Sequence, residues 1–127
     1  LIADLNTIKY STNPYNVNRL TLKVGAAAID SDDYFMNNCQ RIAKTREKTT
    51  NELILLGFDV IPSKANFIFA KSPKISGADL YSALKEKGIL IRHFAKARIS
   101  DYIRITIGSE DEMEAFVAAI KEIMAGE

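Results

Sequence analysis

A chain of 127 residues with 47% apolar, 26% charged and 9% aromatic residues, six Gly and three Pro has the profile of one folded domain and excludes disordered, collagen-like and low-complexity classes. Seventeen Lys and Arg against sixteen Asp and Glu leave a formal charge of +1, so no global field draws in nucleic acid or an anionic membrane, and any anion site must be local. One cysteine and one histidine exclude an internal disulfide and a tetrahedral metal cage.

No apolar run approaches the roughly 20 residues of a membrane span, and LIADLNTIKY shows no basic segment followed by an apolar one. A soluble, cytoplasmic protein is expected. The first twenty residues, with polar turn formers around Pro14, read as a connecting segment cut from something longer. Val17 to Ile29 reads as a modest helix stopped near Asp30. Ser31 then offers an N-cap, Asp32 and Asp33 place negative charge in a first turn, and apolar or small residues recur at Phe35, Cys39, Ile42, Leu53 and Leu56 until Gly57. That predicts a helix of about 25 residues, its stripe interrupted by Arg46 and Thr49.

FDVIPSKANFIFAK is rich in aromatic and β-branched residues and is broken by Pro62, which predicts two short strands. Ser76 and Asp79 form a pair resembling a capping box ahead of ADLYSALKEK, and Gly88 closes that helix. ILIRHF reads as a strand. Seven residues later, Ile103, Ile105 and Ile107 alternate with Tyr102, Arg104 and Thr106 at a period of two, the clearest strand signal in the chain. Ser109 and Glu112 make a second capping box, and Met113, Phe116, Val117, Ile120 and Met124 mark the buried face of a last helix. The fold class expected is α+β, an α/β sandwich with a mainly antiparallel sheet and helices on one face. The three isoleucines then face the helices and Arg104 faces away.

Arg92 and Arg104 lie on neighbouring strands and project from one sheet face if those strands pair through the intervening loop. Two guanidinium groups on one face make a candidate anion clamp, since each grips a carboxylate or phosphate through two parallel hydrogen bonds. The alternative is that both are solvated surface residues. Leu90 and Phe94 flank Arg92 at a period of two, so an apolar row would meet water unless something roofs that face, as in a cleft wall. His93 points to the helix side by alternation and reads as a packed, hydrogen-bonded residue. Cys39 reads as an inert packed thiol. Asn66 is a further candidate for a ligand contact or a backbone cap. No phosphate-loop, dinucleotide, zinc-protease or nucleophile-elbow motif occurs, so nucleophilic or metal catalysis by this chain alone is not expected, and no metal site is assigned.

PYNVNRL at 14–20, LGFDVIPSKANFIF at 56–69, KGILIRHF at 87–94 and YIRITIGSEDEMEAF at 102–116 together resemble the C-terminal third of the histidinol-phosphate aminotransferases, in order and spacing along nearly the whole chain. RITIG is shared across many fold-type-I pyridoxal-phosphate aminotransferases; PYNVN, ANF and the GILIR-F string tilt the resemblance toward the histidinol-phosphate branch. It implies an enzyme that moves an amino group between histidinol phosphate and 2-oxoglutarate, with pyridoxal 5'-phosphate as cofactor, in histidine biosynthesis. Arg104 matches the family arginine that receives the α-carboxylate of glutamate and, in the other half reaction, the phosphate of histidinol phosphate. Arg92 matches a second arginine that supports that anion, and Tyr15 and Asn16 match a turn near the junction of two domains. Residues 1–30 would then be the end of a large domain and linker, residues 31–127 the small C-terminal domain, and the parent a homodimer.

The chain departs from the family pattern in one large respect. No lysine stands in the surroundings the family uses for the cofactor Schiff base, because Lys64 follows Ser63 in a strand-like context. The expectation is that cofactor-site residues precede Leu1 in the parent and that this piece alone is inactive. A regulatory small-molecule binding module remains open as a reading from another class, as do threonine-phosphate decarboxylase and aromatic aminotransferase within the enzyme class.

Overall fold

The computed structural model describes residues 1–12, 15 and 17–126. The chain divides into two compact units, Leu1–Asn37 and Asn38–Glu127.

The first unit contains α1 (Ile2–Thr12), α2 (Arg19–Asp30) and the start of α3 (Asp32–Leu55). A first correction is one of local structure: the stretch read from its turn formers as a connecting segment is helical over Ile2–Thr12. No Gly or Pro interrupts it before Pro14, and its hydroxyls satisfy the helix internally: Thr7 Oγ1 donates to the Ala3 carbonyl at 3.0 Å, and Thr12 Oγ1 to that of Ile8 at 2.6 Å. α2 begins at an Asn18 cap whose Oδ1 accepts from the Thr21 amide at 2.9 Å. Ser31 is a second correction. Its hydroxyl donates backward to the Ala27 carbonyl and its amide to that of Ala28, so it closes α2 and only its backbone carbonyl serves α3, accepting from Phe35. Every described residue of this unit is exposed, including Ile2, Leu5, Ile8, Leu20, Leu22 and Phe35.

The second unit holds the rest of α3 and then β1 (Asp59–Ile61), β2 (Phe67–Lys71), α4 (Gly77–Glu86), β3 (Arg92–His93), β4 (Tyr102–Thr106) and α5 (Glu110–Ala125). The four strands form one antiparallel sheet in the order β1-β2-β4-β3. α3 and α4 each end on a glycine in the left-handed region, Gly57 at φ +85° and Gly88 at φ +78°, with the next amide reaching back to Leu53 and Leu84 respectively, the Schellman arrangement that glycine accommodates at no steric cost. α5 begins in a reciprocal capping box: Ser109 Oγ accepts from the Glu112 amide and Glu112 Oε2 from the Ser109 amide.

Alternation along the two central strands divides the sheet. Ile68 and Ala70 of β2 and Ile103 and Ile105 of β4 are buried together with Leu53, Leu80, Leu84, Phe116 and Ile120 of the helices. Ile107 continues the row, as the period of two predicts. α3, α4 and α5 therefore cover one face of the sheet, and Phe67, Phe69, Tyr102 and Arg104 project from the other. Thr49, which interrupts the stripe of α3, is buried with its hydroxyl donating to the Thr45 carbonyl at 2.9 Å. Arg46 reaches the Ala65 carbonyl at 2.8 Å and so ties α3 to the start of β2.

Candidate functional site: an arginine pair on the open sheet face

Arg92 and Arg104 are direct cross-strand partners. The loop that joins β3 to β4 folds the two strands into an antiparallel pair and stacks the two arginines side by side on the open face. Like charges placed directly opposite on adjacent strands repel. Among the described residues no carboxylate comes within ion-pair distance of either guanidinium, whereas Lys71 on the same sheet is paired with Asp101 at 3.1 Å. Arg92 is exposed and Arg104 half-buried, so both are open to a ligand from solvent.

Aromatic rings frame the pair. Arg104 Cζ lies 5.5 Å from the centroid of Phe67 and 5.9 Å from that of Phe94, and Arg92 Cζ lies 5.5 Å from Phe94, all within cation–π range. Phe69 stacks on Tyr102 at 4.9 Å and meets Phe94 edge-on at 6.3 Å. The Tyr102 hydroxyl donates to Asp59 Oδ2 at 2.8 Å, and that hydrogen bond, with burial adding to it, raises the phenol above its ordinary range. An anion meeting this face finds two cations and a wall of rings, and Asp101 and Asp59 are engaged by Lys71 and Tyr102.

The other candidates fall elsewhere. His93 pairs opposite Ile103 on the helix side; its Nε2 lies 2.7 Å from the Ser100 carbonyl, an acceptor only, so this nitrogen carries the proton, and the ring is the packed histidine expected. Cys39 is a free, half-buried thiol. Asn66 is exposed, and its backbone carbonyl accepts from the Ile107 amide at 2.9 Å. Tyr15 belongs to the first unit and is 85% exposed; Asn16 lies outside the described residues. Leu90, expected in a row with Phe94, precedes β3 and is 78% exposed. The sequence reading missed the aromatic framework. Its signal was present, since Phe67 and Phe69 share a parity and Tyr102 and Arg104 another, but only the β2–β4 register places the two rows side by side. Among the described residues no group of three or more His, Cys, Asp or Glu side chains is placed to hold a metal, and no helix is long and apolar enough to cross a membrane.

Residues 5–120 match the family model "Aminotransferase class I and II". The chain belongs to the class I and II aminotransferases. Similar members of this family include histidinol-phosphate aminotransferases of Brachyspira hyodysenteriae, 48% identical over 98% of this chain and 35% of the relative, and of Clostridium botulinum, 44% identical over the same shares. Among solved structures, the histidinol-phosphate aminotransferase from Clostridium acetobutylicum matches with a TM-score of 0.82 at 27% identity, over 94% of this chain and 37% of that one. The enzyme from Sinorhizobium meliloti in complex with pyridoxal-5'-phosphate matches with a TM-score of 0.75 at 25% identity, over 90% and 32%. The chain thus spans about a third of the length of its curated aminotransferase relatives. Its described residues do not by themselves fit the cofactor bound in the Sinorhizobium protein. Every lysine except Lys71 is exposed, Lys71 is held by Asp101, and no enclosed lysine stands beside a second polar group that would receive a pyridine nitrogen or a phosphate.

Proposed function

We propose that the chain is the C-terminal part of a pyridoxal-phosphate-dependent aminotransferase that moves an amino group between histidinol phosphate and 2-oxoglutarate, and that its contribution is to hold the substrate anion. In this reading residues 1–30 end a large domain and link it to the small domain of residues 31–127, and the parent is a cytoplasmic homodimer of histidine biosynthesis. The cofactor lysine and the groups that hold the cofactor are assigned to the remainder of the parent. The substrate assignment is supported by the names of the relatives at 48% and 44% identity.

The observation that carries the reading is the Arg92–Arg104 cross-strand pair without a counter-ion among the described residues. Glutamate offers a carboxylate and histidinol phosphate a phosphate; either anion relieves the repulsion between the two guanidinium groups and accepts parallel hydrogen bonds from them. Arg104, half-buried between two rings, is the principal anchor, and Arg92 supports it. Fixing the anionic end of each substrate orients its amine toward the rest of the site, which converts encounter into a positioned reaction. One anchor thereby serves two substrates. Asn66, Tyr15 and Asn16 are further positions at which a ligand contact is proposed.

The test is Arg104→Ala in the complete parent enzyme. Loss of a charge-assisted contact lowers kcat/KM by roughly 10- to 150-fold for histidinol phosphate and for glutamate alike. A loss confined to one substrate overturns the shared anchor. Turnover of phenylalanine or threonine phosphate in preference to histidinol phosphate by the unaltered parent overturns the substrate assignment.

A further inference from the structure

We infer that Phe94 is a positioning residue for the anion site, the ring that, among the described residues, lies against both guanidinium groups at once. The inference rests on the anion-binding reading of Arg92 and Arg104. The two arginines face each other across β3 and β4, a placement that repels, and the described residues supply no carboxylate to offset it. What the structure supplies instead is the negative face of aromatic rings. Phe67 serves Arg104 alone. Phe94 lies 5.5 Å from Arg92 Cζ and 5.9 Å from Arg104 Cζ, so a single ring is within reach of both cations.

Phe94 is not loose at the end of its strand. It is half-buried and meets the edge of Phe69, 68° between ring planes; Phe69 stacks on Tyr102 with 15° between planes, and Tyr102 is tied to Asp59 by its hydroxyl. These contacts form a strut across the open face from β1 to the residue just beyond β3. The end of the strut is the ring on which both cations rest. Phe94 thereby presents two like charges to one guest before the guest arrives, reducing the side-chain ordering that binding would otherwise require.

The experiment compares Phe94→Leu, Phe94→Tyr and Arg104→Ala in the complete parent enzyme, with steady-state kinetics for histidinol phosphate and glutamate and a thermal melt for each variant. Leucine keeps an apolar side chain and removes the ring face, so KM for both donors rises about three- to tenfold while kcat stays within about twofold and Tm is held. Tyrosine keeps the ring and retains the KM of the unaltered enzyme. If Phe94→Leu leaves KM unchanged while Arg104→Ala raises it, the role of Phe94 is overturned and the anion site stands. If Phe94→Leu and Phe94→Tyr both lower Tm and kcat together, Phe94 is a packing residue only and the inference is overturned. If Arg104→Ala changes neither substrate, the anion site itself is overturned and the inference falls with it.

Discussion

Arg104 and Arg92 differ in their surroundings more than in their chemistry. Arg104 is half-buried between Phe67 and Phe94, whereas Arg92 is exposed and lies over Phe94. Arg92→Ala in the parent is therefore expected to weaken both substrates by a smaller factor than Arg104→Ala, about three- to tenfold, because an exposed cation contributes less than one with a partly dry face. Steady-state KM values for the two variants check the order. Tyr102 provides a pH marker on the same face. Its hydrogen bond to Asp59 raises the phenol above its ordinary range, and that bond stabilises the protonated form. The contribution is present below the free phenol's range and is lost as the pH rises through the raised one. Ultraviolet titration of Tyr102 should show ionisation above that of free tyrosine, and Asp59→Asn should bring it back down. The arginine pair was legible in the sequence as two strand residues across a short loop. The rings beside it were not, because facing rows on separate strands meet only once the register is known.

At the scale of elements, the legible segments were those in which local chemistry and packing agree. β4 alternates without interruption, and its isoleucines are buried at 0% and 2% exposure. Ile103→Ala should cost about 2–5 kcal/mol of stability, read from the denaturant midpoint, because the core around it has little room to collapse. The capping box of α5 was readable in the same way, and Ser109→Ala should cost about 1 kcal/mol by the same measurement. α1 was not legible because its residues are exposed and its apolar positions trace no stripe; Ser and Thr bonding back to their own helix replaces the usual signal. Ser31 misled for a related reason, since a hydroxyl between two helices can serve either one, and here it serves the earlier. ILIRHF contracts to Arg92–His93 because the pairing with β4 extends only that far.

For the whole molecule, exposed ion pairs join the helices that cover the sheet. Lys48 of α3 lies 2.6 Å from Glu114 of α5, Glu52 of α3 lies 2.9 Å from Lys121 of α5, and Lys87 at the end of α4 lies 2.7 Å from Glu122 of α5. The first two flank a hollow floored by Thr45, Thr49, Met113 and Val117. Hydrogen bonds from Lys48 and Lys87 hold the Glu114 and Glu122 carboxyls below their ordinary range. For a carboxyl lowered by folding, the stabilisation is present above the unfolded range and is lost as the pH falls through the folded one. The urea midpoint of the chain should therefore drop as the pH falls below about 4, the drop should shrink in Glu114→Gln, and salt should weaken the pairs because they are exposed. The apolar residues on the surface of the first unit, among them Leu5, Ile8, Leu20 and Phe35, lead to another expectation. The isolated chain should self-associate as its concentration rises, read by light scattering, because so much uncovered hydrocarbon is unusual for a lone soluble chain.

Both guanidinium groups hang from one hairpin, so the span between their backbones is set by ladder geometry, about 5 Å between α-carbons, and not by the packing of distant parts. A spacing fixed in this way acts as a caliper. Any anion that bridges the two side chains must match a separation that the strand ladder, and no loop, has set.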